Sequence, residues 1–121
     1  MTPDIGVVIV GVLVVLLPLL LACFMAFDRL VRLEYAAHRS AWESDRRPRG
    51  FFWCPAEATA FRSYFAQQRL SFTWLFSTPH WARQDPSASR SLKNLRRLVL
   101  AWNVLMIVSA AILWVWGVPP K

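Results

Sequence analysis

The sequence predicts an all-α membrane protein, a two-span antiparallel helical hairpin with cytoplasmic amphipathic and interfacial helices. Two uncharged stretches, 5–27 and 98–118, stand near the ends of a 121-residue chain. As helices they are roughly 34 and 32 Å long at about 1.5 Å per residue, enough for a hydrocarbon layer of about 30 Å. The chain is 56 % apolar and still carries a net charge of +7. A soluble domain this small hides less apolar residue, because small chains keep much of their surface wet. Thirteen of the 14 basic side chains lie between the two stretches. The length allows one domain, the hydrophobicity excludes disorder, and two cysteines are too few for a disulfide scaffold.

Residues 1–4 are an outer tail, and 5–27 form the first transmembrane helix. Leu20-Leu21-Ala22-Cys23 resembles a lipoprotein cleavage box. Against it, no Lys or Arg precedes the stretch, which is long for a signal and continues past Cys23 through Phe24, Met25 and Phe27. A retained anchor is the reading carried forward. Pro18 removes one backbone hydrogen bond and predicts a kink. Ala22 and Ala26, four apart, offer a small-xxx-small contact to another helix.

Residues 28–97 form a basic cytoplasmic loop, with a charge of +7 from 13 basic and six acidic side chains. On a helical wheel Asp28, Arg32, Arg39 and Glu43 share one stripe and Leu30, Leu33, Ala37 and Ala41 another. The first helix is therefore expected to continue to about Glu43. Its i,i+4 pairs, Asp28 with Arg32 and Arg39 with Glu43, contribute a few tenths of a kcal/mol each. Pro48, Gly50 and the Arg46, Arg47 and Arg49 cluster end it.

From Phe51 to Trp81 lie ten of the 17 aromatic residues, with only Glu57, Arg62 and Arg69 charged before Trp81. Pro55 suits the first turn of a helix that Thr78-Pro79 would stop. Its wheel gathers Phe61, Tyr64, Phe65, Phe72, Leu75 and Phe76 on one face, and Arg62, Ser63, Gln67, Arg69 and Thr73 on the other. Such a face fits a membrane surface, a partner's groove, or the protein's own juxtamembrane helices.

Asp85-Pro86 reads as an N-cap and first-turn residue of a helix that enters the second span, 98–118, before an outer tail at 119–121. Arg90, Lys93 and Arg97 share a face with Arg96 nearby. They act as positive-inside anchors or, with Arg46, Arg47 and Arg49, as sites for anionic lipid headgroups. Asn103 and Ser109 are the polar side chains available for helix contacts inside the second span. Five basic residues flank each side of the loop against Lys121 alone outside. The loop is therefore expected in the cytoplasm of a bacterial inner membrane, with both termini periplasmic.

No catalytic, cofactor or metal motif stands out. His38 and His80 lack metal-ligand spacing, Glu34 with His38 supplies only two ligands, and Cys23 and Cys54 fall in different environments. The aromatics are segregated from the arginines, unlike a nucleic-acid surface. Neither uncharged stretch contains an ionisable residue of the kind that lines a proton route. The expected function is a non-enzymatic accessory or regulatory subunit of a larger membrane assembly or homo-oligomer. Alternatives are an anionic-lipid-binding membrane-surface protein and a subunit of an oligomeric transporter or enzyme.

Gly50-Phe51-Phe52 after the first basic region, the Tyr64-to-Trp74 aromatic stretch containing Gln68-Arg69, and Arg96-Arg97 before the last span form an ordered set. In order and spacing it resembles universal stress protein B, a family of small bacterial inner-membrane proteins with two spans around a basic cytoplasmic loop. The chain departs from that pattern in Pro79, Pro86 and its tryptophan content. The resemblance implies a membrane protein linked to stress or stationary phase, with no catalytic residues to carry over.

Overall fold

The computed structural model describes residues 4–58 and 60–117, and among them every regular element is helical. Helix α1 spans Ile5–Ala37 and runs through Pro18. Asp4 caps its start, the side chain accepting from the Gly6 N–H at 3.3 Å. The single helix expected to about Glu43 is broken at His38, whose backbone leaves the helical region at φ −133° and ψ 55°. A second helix, α2, then covers Arg39–Ser44.

The break coincides with a long-range contact. His38 Nε2 lies 2.8 Å from Asp85 Oδ2, a tether across 47 residues of sequence. The local ion pairs that would have continued the helix do not form. Asp28 turns to a loop described below, and Arg39 Nε donates to the Tyr35 carbonyl at 2.8 Å while its guanidinium covers the Tyr35 ring. Glu43 meets Arg47 instead, at 3.7 Å.

The end of α2 turns sharply. The Arg47 N–H donates to the Trp42 carbonyl at 2.9 Å and the Arg46 N–H to the Glu43 carbonyl at 3.0 Å. This is the paired closure that usually places a glycine in the left-handed region; here Arg46 and Arg47 occupy it, with φ of 68° and 55°. The Trp42 Nε1–H donates to the Pro48 carbonyl at 2.8 Å and holds the returning chain.

Where Pro55 is expected to open a helix, Ala56–Ala58 makes a single 3-10 turn, and α3 covers Phe61–Phe76. Helix α4 (His80–Arg83) follows the Thr78-Pro79 stop. Helix α5 runs unbroken over Pro86–Gly117.

The core lies in the layer between the two uncharged stretches and takes in the adjoining ends of both. Phe27, Leu30 and Val31 of α1 meet Leu70 and Trp74 of α3, Trp81 and Ala82 of α4, and Ala88, Leu92 and Leu95 of α5. Most apolar side chains further along α1 and α5 remain exposed, among them Val10, Val14, Ile107 and Trp114. Both helices are long and apolar enough to cross a membrane.

Candidate functional site

Three arrangements converge where the apolar length of α1 ends. The first is the seating of α3. Ser63, Ala66, Gln67, Leu70 and Trp74 face inward and are buried. Ser63 and Gln67, expected on the polar face with Arg62, Arg69 and Thr73, are therefore turned inward, and Leu70 and Trp74 join the core. Trp74 lies 5.3 Å from Phe27 between ring centroids. The aromatic face points outward: Phe61 is 82 % exposed, Tyr64 48 %, Phe65 64 %, Phe72 69 % and Phe76 86 %. Leu75 is half-buried.

Arg96 fastens this helix to α5. Its Nε donates to the Trp74 carbonyl at 3.0 Å and its Nη2 to Thr78 Oγ1 at 3.1 Å. A cation at the carbonyl end of a helix is favourable both as a hydrogen-bond donor and through the helix dipole. Arg96 is thus a brace, whereas Arg90, Lys93 and Arg97 are exposed. None of these three has a carboxylate within 4.0 Å among the described residues. Arg46 is exposed, Arg49 half-buried, and Arg47 is paired with Glu43.

The second arrangement is a loop wrapped on a buried carboxylate. Asp28 accepts from the backbone N–H groups of Phe51, Phe52 and Trp53 at 2.6, 2.8 and 3.0 Å. Successive N–H groups turned to one side make a concave anion seat, and Asp28 fills it. The Gly50 N–H closes the turn on the Trp53 carbonyl at 2.8 Å. A Cβ at Gly50 would fall 2.5 Å from Asp28 Cγ. Sequence reasoning missed this role for Asp28. The available signal was an acid at the end of an uncharged stretch, followed later by Gly50 and a run of aromatics. The loop places Phe51 and Phe52 against Phe24, with centroids 4.2 and 6.1 Å apart.

The third is a buried titratable cluster at the far end of α1. Neither Glu34 carboxyl oxygen nor the adjoining Trp81 Nε1 has a hydrogen-bond partner. Burial, reinforced by the neighbouring Asp45 carboxyl, pushes Glu34 up to about 10, so it is neutral at physiological pH. Asp85 goes the other way: the bond from His38 and the Ala88 and Ser87 N–H groups that it caps hold it below its ordinary value.

Of the remaining candidates, Asn103 Nδ2 donates to the Val99 carbonyl of its own helix at 2.7 Å, and Ser109 is half-buried. Ala26 joins the core, and Ala22 lines a groove of about 920 Å³ between α1, α5 and the loop at Phe52 and Trp53. Cys23 and Cys54 are unpaired. Among the described residues no three His, Cys, Asp or Glu side chains gather into a metal site.

These features define the class: an all-α protein in which two helices able to cross a membrane carry an aromatic-rich layer braced between them. No family model matches the chain, and no curated protein or solved structure is significantly similar to it.

Proposed function

We propose that the chain is a two-span antiparallel hairpin of a bacterial inner membrane, with its connecting layer in the cytoplasm and both termini outside, and that it serves as a non-enzymatic accessory or regulatory subunit of a larger membrane assembly. The observation that carries this reading is the outward face of α3. Four phenylalanines are well over half exposed, and Tyr64 nearly half, on a helix fixed in place by Arg96 and Trp74. A contiguous exposed apolar surface on a rigid mount is what a partner binds. The stress-linked role implied by the resemblance to universal stress protein B rests on the short stretches named above.

The test is purification from native membranes in mild detergent, comparing the wild-type chain with the Phe61→Ser, Phe65→Ser, Phe72→Ser triple variant. All three side chains are 64 % exposed or more, so the variant is expected to fold and insert as before. Loss of a copurifying polypeptide supports the reading; retention of every partner refutes it. The second reading, a lipid-binding surface protein, is favoured by the exposed and carboxylate-free Arg90, Lys93 and Arg97. Salt-sensitive enrichment of anionic lipid that falls on replacing those three would support it.

A further inference from the structure

The groove beside Ala22 has an ordered lining. On α1, Leu21, Met25, Arg29 and Arg32 follow one another at spacings of four, four and three, so a single stripe changes from apolar to cationic along the helix. On α5, Asn94 and Leu98 face the same groove, polar first and apolar four residues later. His38 at the end of α1 bonds Asp85 at the start of α5, so the two stripes match: polar groups lie toward that tether and apolar groups away from it. The polar and apolar ends are separated by roughly 16 Å along α1, eleven residues at about 1.5 Å each.

Neither Arg29 nor Arg32 has a carboxylate within 4.0 Å among the described residues. The nearest acid in the lining, Asp28, has both oxygens engaged by the N–H groups of the Phe51–Trp53 loop. Its oxygens are thereby occupied inside the protein, and the two guanidinium groups, with no carboxylate in contact, are left to an external anion. Arginine suits a phosphate in this position because its planar fork offers paired donors. An occupant that places an anion against Arg29 and Arg32 and carries apolar chain down past Met25, Leu21 and Leu98 has the chemistry of one molecule class.

We propose that this groove binds one anionic glycerophospholipid, its phosphate held by Arg29 and Arg32 with Asn94 beside it and an acyl chain along Leu21, Met25 and Leu98. The site rests on the reading that α1 and α5 cross the membrane. It is separate from the Arg90, Lys93 and Arg97 face.

The whole chain is reconstituted in nanodiscs of equimolar phosphatidylglycerol and phosphatidylcholine with identical acyl chains, released into detergent, and weighed intact. One retained phosphatidylglycerol per chain is expected, in preference to phosphatidylcholine. Arg29→Gln with Arg32→Gln should cut retention about 30-fold, equivalent to about 1 kcal/mol for each basic residue near a membrane surface. Arg29→Lys with Arg32→Lys keeps the charge and should recover much of it, which separates headgroup binding from misfolding. Equal retention of the two lipids, unchanged retention in the Gln variant, or an equal loss on replacing Arg90, Lys93 and Arg97 would overturn the proposal. Displacement by millimolar glycerol phosphate would also overturn it, by assigning the site to a soluble phosphate. Extraction of the chain from native membranes by alkaline carbonate would instead defeat the membrane reading on which the site rests.

Discussion

Glu34 is the residue whose energetics are most exposed to pH. A carboxyl buried without a hydrogen bond is tolerated only when neutral, and burial beside the Asp45 carboxyl pushes Glu34 up to about 10. Its unfolded counterpart ionises near 4.5. Between those two values the folded chain holds a proton that the unfolded chain has lost, so stability falls as pH rises through that window. Asp85, whose value is depressed, contributes in the opposite sense, with stability lost only as pH falls below its unfolded 3.8. The detergent-solubilised protein should therefore unfold at a higher temperature at pH 5 than at pH 7.5. Glu34→Gln should raise stability at pH 7.5 by about 1–3 kcal/mol and flatten the slope, since an amide has no proton to lose. A Gln variant with the wild-type slope, followed by thermal unfolding, would place the pH dependence elsewhere.

At the scale of elements, the loop 50–53 depends on a single side chain of α1. Three charge-assisted backbone bonds converge on Asp28, and losing an acceptor strands N–H groups in a half-buried place. Asp28→Asn is expected to lower stability by about 2 kcal/mol, and Gly50→Ala to do the same because its Cβ meets the same carboxylate. Both should shift the tryptophan emission to which Trp53, edge-on to Tyr35 at 5.2 Å, contributes; unaltered melting and emission would show that the loop holds itself. Such contacts mark where the sequence stops being legible. Composition and periodicity show α1, α3 and α5, because long apolar runs, the Asp85-Pro86 start and the Thr78-Pro79 stop act locally. The contact of His38 at the helix break and the brace at Arg96 each involve a partner 18 or more residues away in the chain, and the burial of Ser63 and Gln67 follows tertiary seating rather than local polarity. Local i,i+4 pairs of a few tenths of a kcal/mol are easily displaced: Asp28 is taken by the distant loop 51–53, while Arg39 and Glu43 each find another partner four residues away, Tyr35 and Arg47.

For the whole molecule, the placement of the core bears on how the chain sits in a membrane. The buried cluster joins Phe27, Leu30 and Val31 to residues of α3, α4 and the start of α5, leaving the uncharged lengths of both long helices with exposed apolar surface. That division suits a folded layer in water beside two helices in lipid, and the basic residues near the span ends, five on each side of the layer, would set the side on which it rests. Cys54 reports that side directly. It is exposed and lies in the layer, whereas Cys23 is buried among the apolar residues of α1. In a Cys23→Ser background a membrane-impermeant maleimide should leave Cys54 unlabelled in intact spheroplasts and label it fully in inside-out vesicles. The intact mass of the unmutated chain tests the lipoprotein alternative, in which it would begin at a diacylated Cys23 and carry the basic layer outside. Labelling of Cys54 from the outer face would reverse the topology, because no flank of the layer could then obey the charge rule that ten nearby basic residues impose.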